Sequence, residues 1–124
     1  MKIFLTLVAL SFVLTGCMSY DEYVAKRTAG LRKMYPAGMT RDEVQSKWNS
    51  QPDFSVSRPA GGWNAHTNKY LADVIIAEEA STGKRIEFVE RYWGADGLFS
   101  LAYCWYYYDA DRKIVDVEWE YKSD

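Results

Sequence analysis

The last forty residues leave this chain few ways to fold. From Lys84 to Tyr121, apolar and polar residues alternate with a period of two, and two turn-forming clusters interrupt them. Lys84 to Trp93 reads as a first strand, with Ile86, Phe88 and Tyr92 on one face. Gly94-Ala95-Asp96-Gly97 turns the chain. Leu98 to Tyr108 reads as a long central strand, aromatic on both faces: Phe99, Leu101, Tyr103, Trp105 and Tyr107 on one, Leu98, Ala102, Cys104, Tyr106 and Tyr108 on the other. Asp109 to Lys113 turns it again. Ile114 to Tyr121 sets Val115, Val117, Trp119 and Tyr121 inward and Asp116, Glu118 and Glu120 outward. Three strands joined by two short turns predict an antiparallel meander.

Such a sheet needs cover, and the preceding residues supply helices. Tyr20 to Tyr35 is expected to be helical, capped by Ser19 or Asp21, with acids in the first turn and Arg32 and Lys33 in the last. Tyr20, Val24 and Leu31, with Tyr23 and Met34 beside them, form its apolar stripe. Gly30 weakens its centre by about 1 kcal/mol relative to alanine. Tyr35-Pro36-Ala37-Gly38 breaks the chain, and Thr40 restarts it as the cap of a short helix from Arg41 to about Trp48. Thr40 and Glu43 have the spacing of a capping box, and Met39 and Val44 that of a hydrophobic staple. Asn49-Ser50-Gln51-Pro52 ends this helix.

A third helix is predicted over Asn68 to Thr82, capped by Thr67 or Asn68. Leu71, Val74 and Ile75 share one face, Glu78 and Glu79 point outward, and Gly83 closes the end. A strand through Val74-Ile75-Ile76-Ala77 is the competing reading; length and the two glutamates favour the helix. The expected fold class is therefore α+β. Two or three helices pack on one face of a three-stranded meander, as a two-layer sandwich. The opposite face then keeps aromatics near solvent, around Tyr106 and Tyr108. They are either tyrosines covering polar neighbours or a patch for a partner.

Phe54 to Trp63 carries Pro59 and paired glycines and reads as a loop. Either it is a connector with Trp63 tucked onto the core, or it faces a partner with Arg58 and Trp63 as contacts. Tryptophan and arginine are the residue types enriched at binding hot spots.

The N-terminus constrains location. Lys2 precedes a run from Ile3 to Leu14 interrupted only by Thr6 and Ser11. That is the length of a signal-peptide core and shorter than the roughly 20 apolar residues needed to span a bilayer. The run ends in Leu14-Thr15-Gly16-Cys17, which resembles the lipobox of bacterial lipoprotein signal peptides. The resemblance implies that residues 1–16 are removed and that Cys17 carries the acyl chains. Residues 17–20 are then a tether, and 21–124 a single domain. Met18 follows the lipidated position where, in enteric-type systems, an aspartate would retain the protein in the inner membrane. The resemblance thus implies the outer membrane.

A second resemblance rests on Gly38-Met39-Thr40, then Glu43-Val44, with Trp48 and Pro52 behind them. This pattern is similar to the SmpA/OmlA family of small outer-membrane lipoproteins, whose known type, BamE, is an accessory of the β-barrel assembly machine. The family's order is a lipidated cysteine, two helices and a three-stranded antiparallel sheet. This chain departs from it in two ways. Asn49 stands where the family has glycine, with one residue more before Pro52, and the segment 53–83 is long. The resemblance implies a BamE-like domain that binds or scaffolds other envelope proteins.

Composition excludes several alternatives. Removing residues 1–16 takes away Lys2 alone among charged residues, so 15 basic residues fall to 14 against 17 acidic, a net charge of −3. No basic stripe marks a nucleic-acid binder. With Cys17 acylated, Cys104 has no disulfide partner and is expected as a small buried residue on a strand. His66 is the only histidine and cannot alone form a metal site or a nucleophile–base pair. Glu87 and Glu90, three apart on a strand, face opposite sides. Asp109 and Asp111 lack the further ligands of a calcium loop. No catalytic residues, cofactor or metal are expected. The expected function is a non-enzymatic, membrane-anchored protein-binding or scaffold module. An inhibitor or ligand-binding lipoprotein on the same fold is the alternative.

Overall fold

A computed structural model describes residues 19–65, 67–95 and 101–121. Residues 1–18, with Cys17 and the leader, lie outside the described residues, as do His66, residues 96–100, where a turn and the start of the central strand are expected, and residues 122–124. The elements run α1 (Tyr20–Met34), α2 (Arg41–Trp48), β1 (Phe54–Ser57), α3 (Lys69–Thr82), β2 (Phe88–Ala95), β3 (Leu101–Tyr108) and β4 (Ile114–Tyr121). The fold class is α+β, with an antiparallel sheet in the order β1-β2-β3-β4.

Local sequence accounts for all three helices. The Ser19 hydroxyl accepts from the Glu22 amide at 3.2 Å and caps α1. The Thr40 hydroxyl accepts from the Glu43 amide at 3.3 Å and caps α2, while Met39 and Val44 pack into the same core, as a staple requires. Asn49 ends α2 in the left-handed region, at φ 53°, a conformation that asparagine tolerates better than most side chains. The Asn68 side chain caps α3, and Gly83 closes it at φ 68°.

The Gly38–Arg41 segment has a tertiary role as well. Gly38, at φ +92°, donates its amide to the Ile114 carbonyl at 2.8 Å. Ile114 returns its own amide to Met39 at 2.8 Å, and the Arg41 amide reaches Arg112 at 2.9 Å. The start of α2 is thereby stitched to the start of β4.

Three expectations about the sheet are corrected. It has four strands, because Phe54-Ser55-Val56-Ser57, read as loop, pairs with Arg91 to Phe88 as an edge strand. Four residues of alternation between turn formers are too short to stand out in sequence. β2 begins at Phe88 rather than Lys84, and Ile86 packs on the face opposite Phe88 and Tyr92. In β4 the register shifts opposite Tyr107/Tyr108, so Val115 falls with the second core while Val117 and Trp119 stay in the first. An irregularity of this kind resets a period of two, which no count along the strand foresees.

The layering also differs. Helices cover both faces, giving three layers instead of two. Under α1 and α2, Leu31, Tyr35 and Val44 pack with Tyr92, Cys104, Tyr106, Tyr108 and Trp119. Under α3 and the 58–63 loop, Leu71, Ala72, Ile75 and Trp63 pack with Ile86, Val89 and Tyr107. A strand aromatic on both faces demands cover on both. Tyr106 and Tyr108 are accordingly fully buried and form no exposed patch. Cys104 is buried on β3, as its type predicts. α1 lies along β4, an edge strand, and the Thr28 hydroxyl accepts the Trp119 amide at 3.1 Å. An edge amide that would otherwise invite another strand is satisfied within the chain.

Candidate functional site

The register of the four strands builds a row across the face beneath α3. Phe54 pairs with Arg91, Arg91 with Trp105, and Trp105 with Glu118. On one side of this row, Val56, Val89, Tyr107 and Asp116 form the neighbouring row, which abuts the core under α3. On the other side, Trp93 and Tyr103 lead to Glu120. The middle row is covered only in part. It floors a cleft of about 320 Å³, walled by Tyr70, Leu71 and Val74 of α3 and by Glu118 and Glu120 of β4.

Arg91 organises the floor. Its guanidinium makes a two-pronged pair with Asp53 at 2.9 and 3.0 Å. It also lies 4.3 Å from the Tyr103 ring centre, 5.4 Å from Trp105 and 5.7 Å from Phe54. The planar cation, on β2, therefore holds three rings from the two flanking strands, β1 and β3, in one aromatic platform. Glu120 stands beside the platform and faces the Trp105 indole; burial raises its carboxyl above the ordinary value, which Arg91 and the indole partly offset. The Tyr107 hydroxyl donates to Glu118 at 3.2 Å.

Behind Glu118 sits a second acidic group. Glu78 of α3 meets Glu118 and Asp116, and its Oε2 is buried with no donor to receive. Burial, reinforced by the two facing carboxylates, pushes the Glu78 carboxyl up to about 9. It therefore carries a proton at neutral pH, which turns a repulsive contact into a hydrogen bond. Burial by itself would raise Asp116 too, but the two-pronged pair from Arg32, at 2.8 and 3.1 Å, overrides it and holds Asp116 below the usual carboxylate range. Among the described residues, no group of three His, Cys, Asp or Glu side chains is placed to hold a metal ion.

The two predicted contact residues lie elsewhere and do other work. Trp63 is only 2% exposed, and its indole donates to the Ile86 carbonyl at 3.0 Å. Arg58 pairs with Glu79 at 3.0 Å and reaches the same Ile86 carbonyl at 3.3 Å. Glu79 also accepts the Ile86 amide at 2.9 Å. The loop is thus a fastener between α3 and the approach to β2, with Trp63 buried in it and Arg58 half-buried. Glu78 and Glu79, expected to point outward, are both half-buried and engaged. Cys17, the expected lipid attachment point, lies outside the described residues.

Sequence reasoning passed over Arg91, Trp105 and Phe54 as site residues because their meeting depends on register. The one available signal is that Glu118 and Glu120 fall on the outward face of the last strand. In comparisons with known proteins, no family model, curated protein or solved structure matches this chain.

Proposed function

We propose that the protein is a non-enzymatic binding module of the bacterial envelope, anchored through acyl chains on Cys17 and facing the periplasm, most simply from the outer membrane. Its binding site is the cleft between α3 and the sheet, and its partner is a segment of another envelope protein. One observation carries this reading. The cleft floor is an aromatic platform whose cation, Arg91, is already committed to Asp53, while two carboxylates, Glu118 and Glu120, line the wall. Rings and two carboxylates beside a cation that already pairs with Asp53 suit a basic side chain on an apolar stem. Among the described residues lining the cleft there is no cysteine, serine or histidine. The SmpA/OmlA resemblance of Gly38 to Val44 supports the same class of role.

The cleft volume supports a second reading, a small-ligand or inhibitor module, because it falls near the lower end of the roughly 300–1,000 Å³ of small-molecule sites. Co-purification from detergent separates the two. A stoichiometric envelope complex, captured by the parent chain and lost with Glu120→Lys, supports protein binding. Capture of the same proteins by parent and variant would remove the cleft from the proposal. A co-purifying small molecule in their place would favour the second reading. The anchor has its own test: Cys17→Ser should leave the precursor without acyl mass and move the protein out of the membrane fraction.

A further inference from the structure

Of the six large apolar side chains that remain well exposed among the described residues, five lie at one end of the molecule, and the sixth, Ile76, lies midway along α3. Leu101 is 59% exposed at the start of β3, and Trp93 is 42% exposed near the end of β2. Tyr121 is 50% exposed at the end of β4 and pairs in register with Ala102, the neighbour of Leu101. Tyr20 opens α1 at 60% exposure, its ring 6.5 Å from that of Tyr121 and nearly perpendicular to it. Tyr70, 73% exposed, shares a groove with Tyr20 across β4. The opposite end, at the β3–β4 turn, carries Asp109, Asp111, Arg112 and Lys113 instead.

The same end is where the chain enters. Tyr20 is three residues from Cys17, a span of at most roughly 11 Å when fully extended. The headgroup layer is itself several ångströms deep, since a bilayer measures about 40–45 Å across with headgroups and about 30 Å without. Tyrosine and tryptophan favour that layer, where a ring meets apolar surroundings and its polar tip stays wet. We propose that this rim of Tyr20, Trp93, Leu101 and Tyr121, with Tyr70 beside it, rests in the headgroup layer of the membrane, so that the sheet stands end-on to it. The inference rests on the acyl anchor at Cys17 and adds an orientation that the anchor alone does not set. Asp21 and Glu22 in the first turn of α1 disfavour an anionic surface, so the occupant is a zwitterionic lipid face.

The test uses the full lipidated protein in phosphatidylcholine vesicles, with an environment-sensitive fluorophore on Leu101→Cys, on Tyr20→Cys or on Asp111→Cys. Cys104 is buried, so labelling is confined to the introduced thiol. β3 separates the Leu101 and Asp111 positions by about 24 Å along the strand. The label at 101 or 20 should shift to shorter wavelength and lose most of its emission when the lipids are brominated; the label at 111 should do neither. If mass spectrometry confirms the acyl chains and the rim labels keep their emission in water, the orientation is wrong and the anchor stands. Equal quenching at 101 and 111 would also overturn it. A blue shift without quenching would mean that protein, such as a second copy, covers the rim. Absence of acyl mass on Cys17 would remove anchor and orientation together.

Discussion

Glu90, with no exposed surface, receives both prongs of the Arg41 guanidinium, at 2.9 and 3.0 Å. Arg41 is the first residue of α2, so the pair ties the helix start to the second strand of the sheet. It lies among Phe88, Tyr92 and Tyr108, and burial pushes the Tyr92 hydroxyl up to about 12. Arg41→Ala leaves a carboxylate buried alone and should cost about 3–5 kcal/mol in urea melts. Glu90→Gln should cost less, because Arg41 keeps partial access to water. The double change Arg41→Met with Glu90→Leu should recover most of the loss. A parent-like melt for Arg41→Ala would show that the pair is not formed in solution.

The cap of α2 gives a smaller effect. Thr40→Ala removes the acceptor for the Glu43 amide and should destabilise the domain by about 0.5–2 kcal/mol without changing its circular dichroism. Glu43 is exposed, so Glu43→Ala should cost less. An unchanged midpoint for Thr40→Ala would place the start of the helix elsewhere.

Trp63 now predicts a folding defect. Trp63→Ala should lower stability by about 3–5 kcal/mol, from a cavity beside Ile75 and Ile86 and the loss of the indole's hydrogen bond to the Ile86 carbonyl. Arg58→Ala should cost about 1–3 kcal/mol by the same route, since Glu79 loses its cation. Partner capture by whatever fraction remains folded should be unaffected. Selective loss of capture with a normal melt would reinstate the loop as a contact surface.

Glu78 sets a pH dependence whose sign is fixed by its raised carboxyl. The folded state holds the proton up to about pH 9, whereas the unfolded chain releases it near 4.5. That contribution is complete below the unfolded value and is lost progressively as pH climbs to about 9. Asp116, held low by Arg32, works the other way and loses its contribution only on acidification. Urea midpoints should therefore fall from about pH 5 to about pH 9, and Glu78→Gln, which keeps a donor without titrating, should flatten the slope. A variant with the parent's slope would assign the dependence to another group.

The cleft and the Glu90 pair were the least legible features, and for one reason. Glu90 looks in sequence like any solvated strand glutamate; only its partner forty-nine positions away, delivered by the stitch between Gly38 and Ile114, makes it internal. Phe54, Arg91 and Trp105 come from three separate strands, and register alone makes them one platform.

What the chain encodes locally is readable from the sequence: the cap at Thr40, the caps of α1 and α3 to within two candidates each, the stops at Asn49 and Gly83, and the aromatic alternation of β3. Each depends on residues within a few positions of one another, where hydrogen-bond reach and side-chain period act directly. Which face of a strand is covered, and by what, is a competition between distant segments, and only the tertiary structure decided it. Both faces of β3 are apolar, so burial had to be shared between α1 and α2 on one side and α3 with Trp63 on the other.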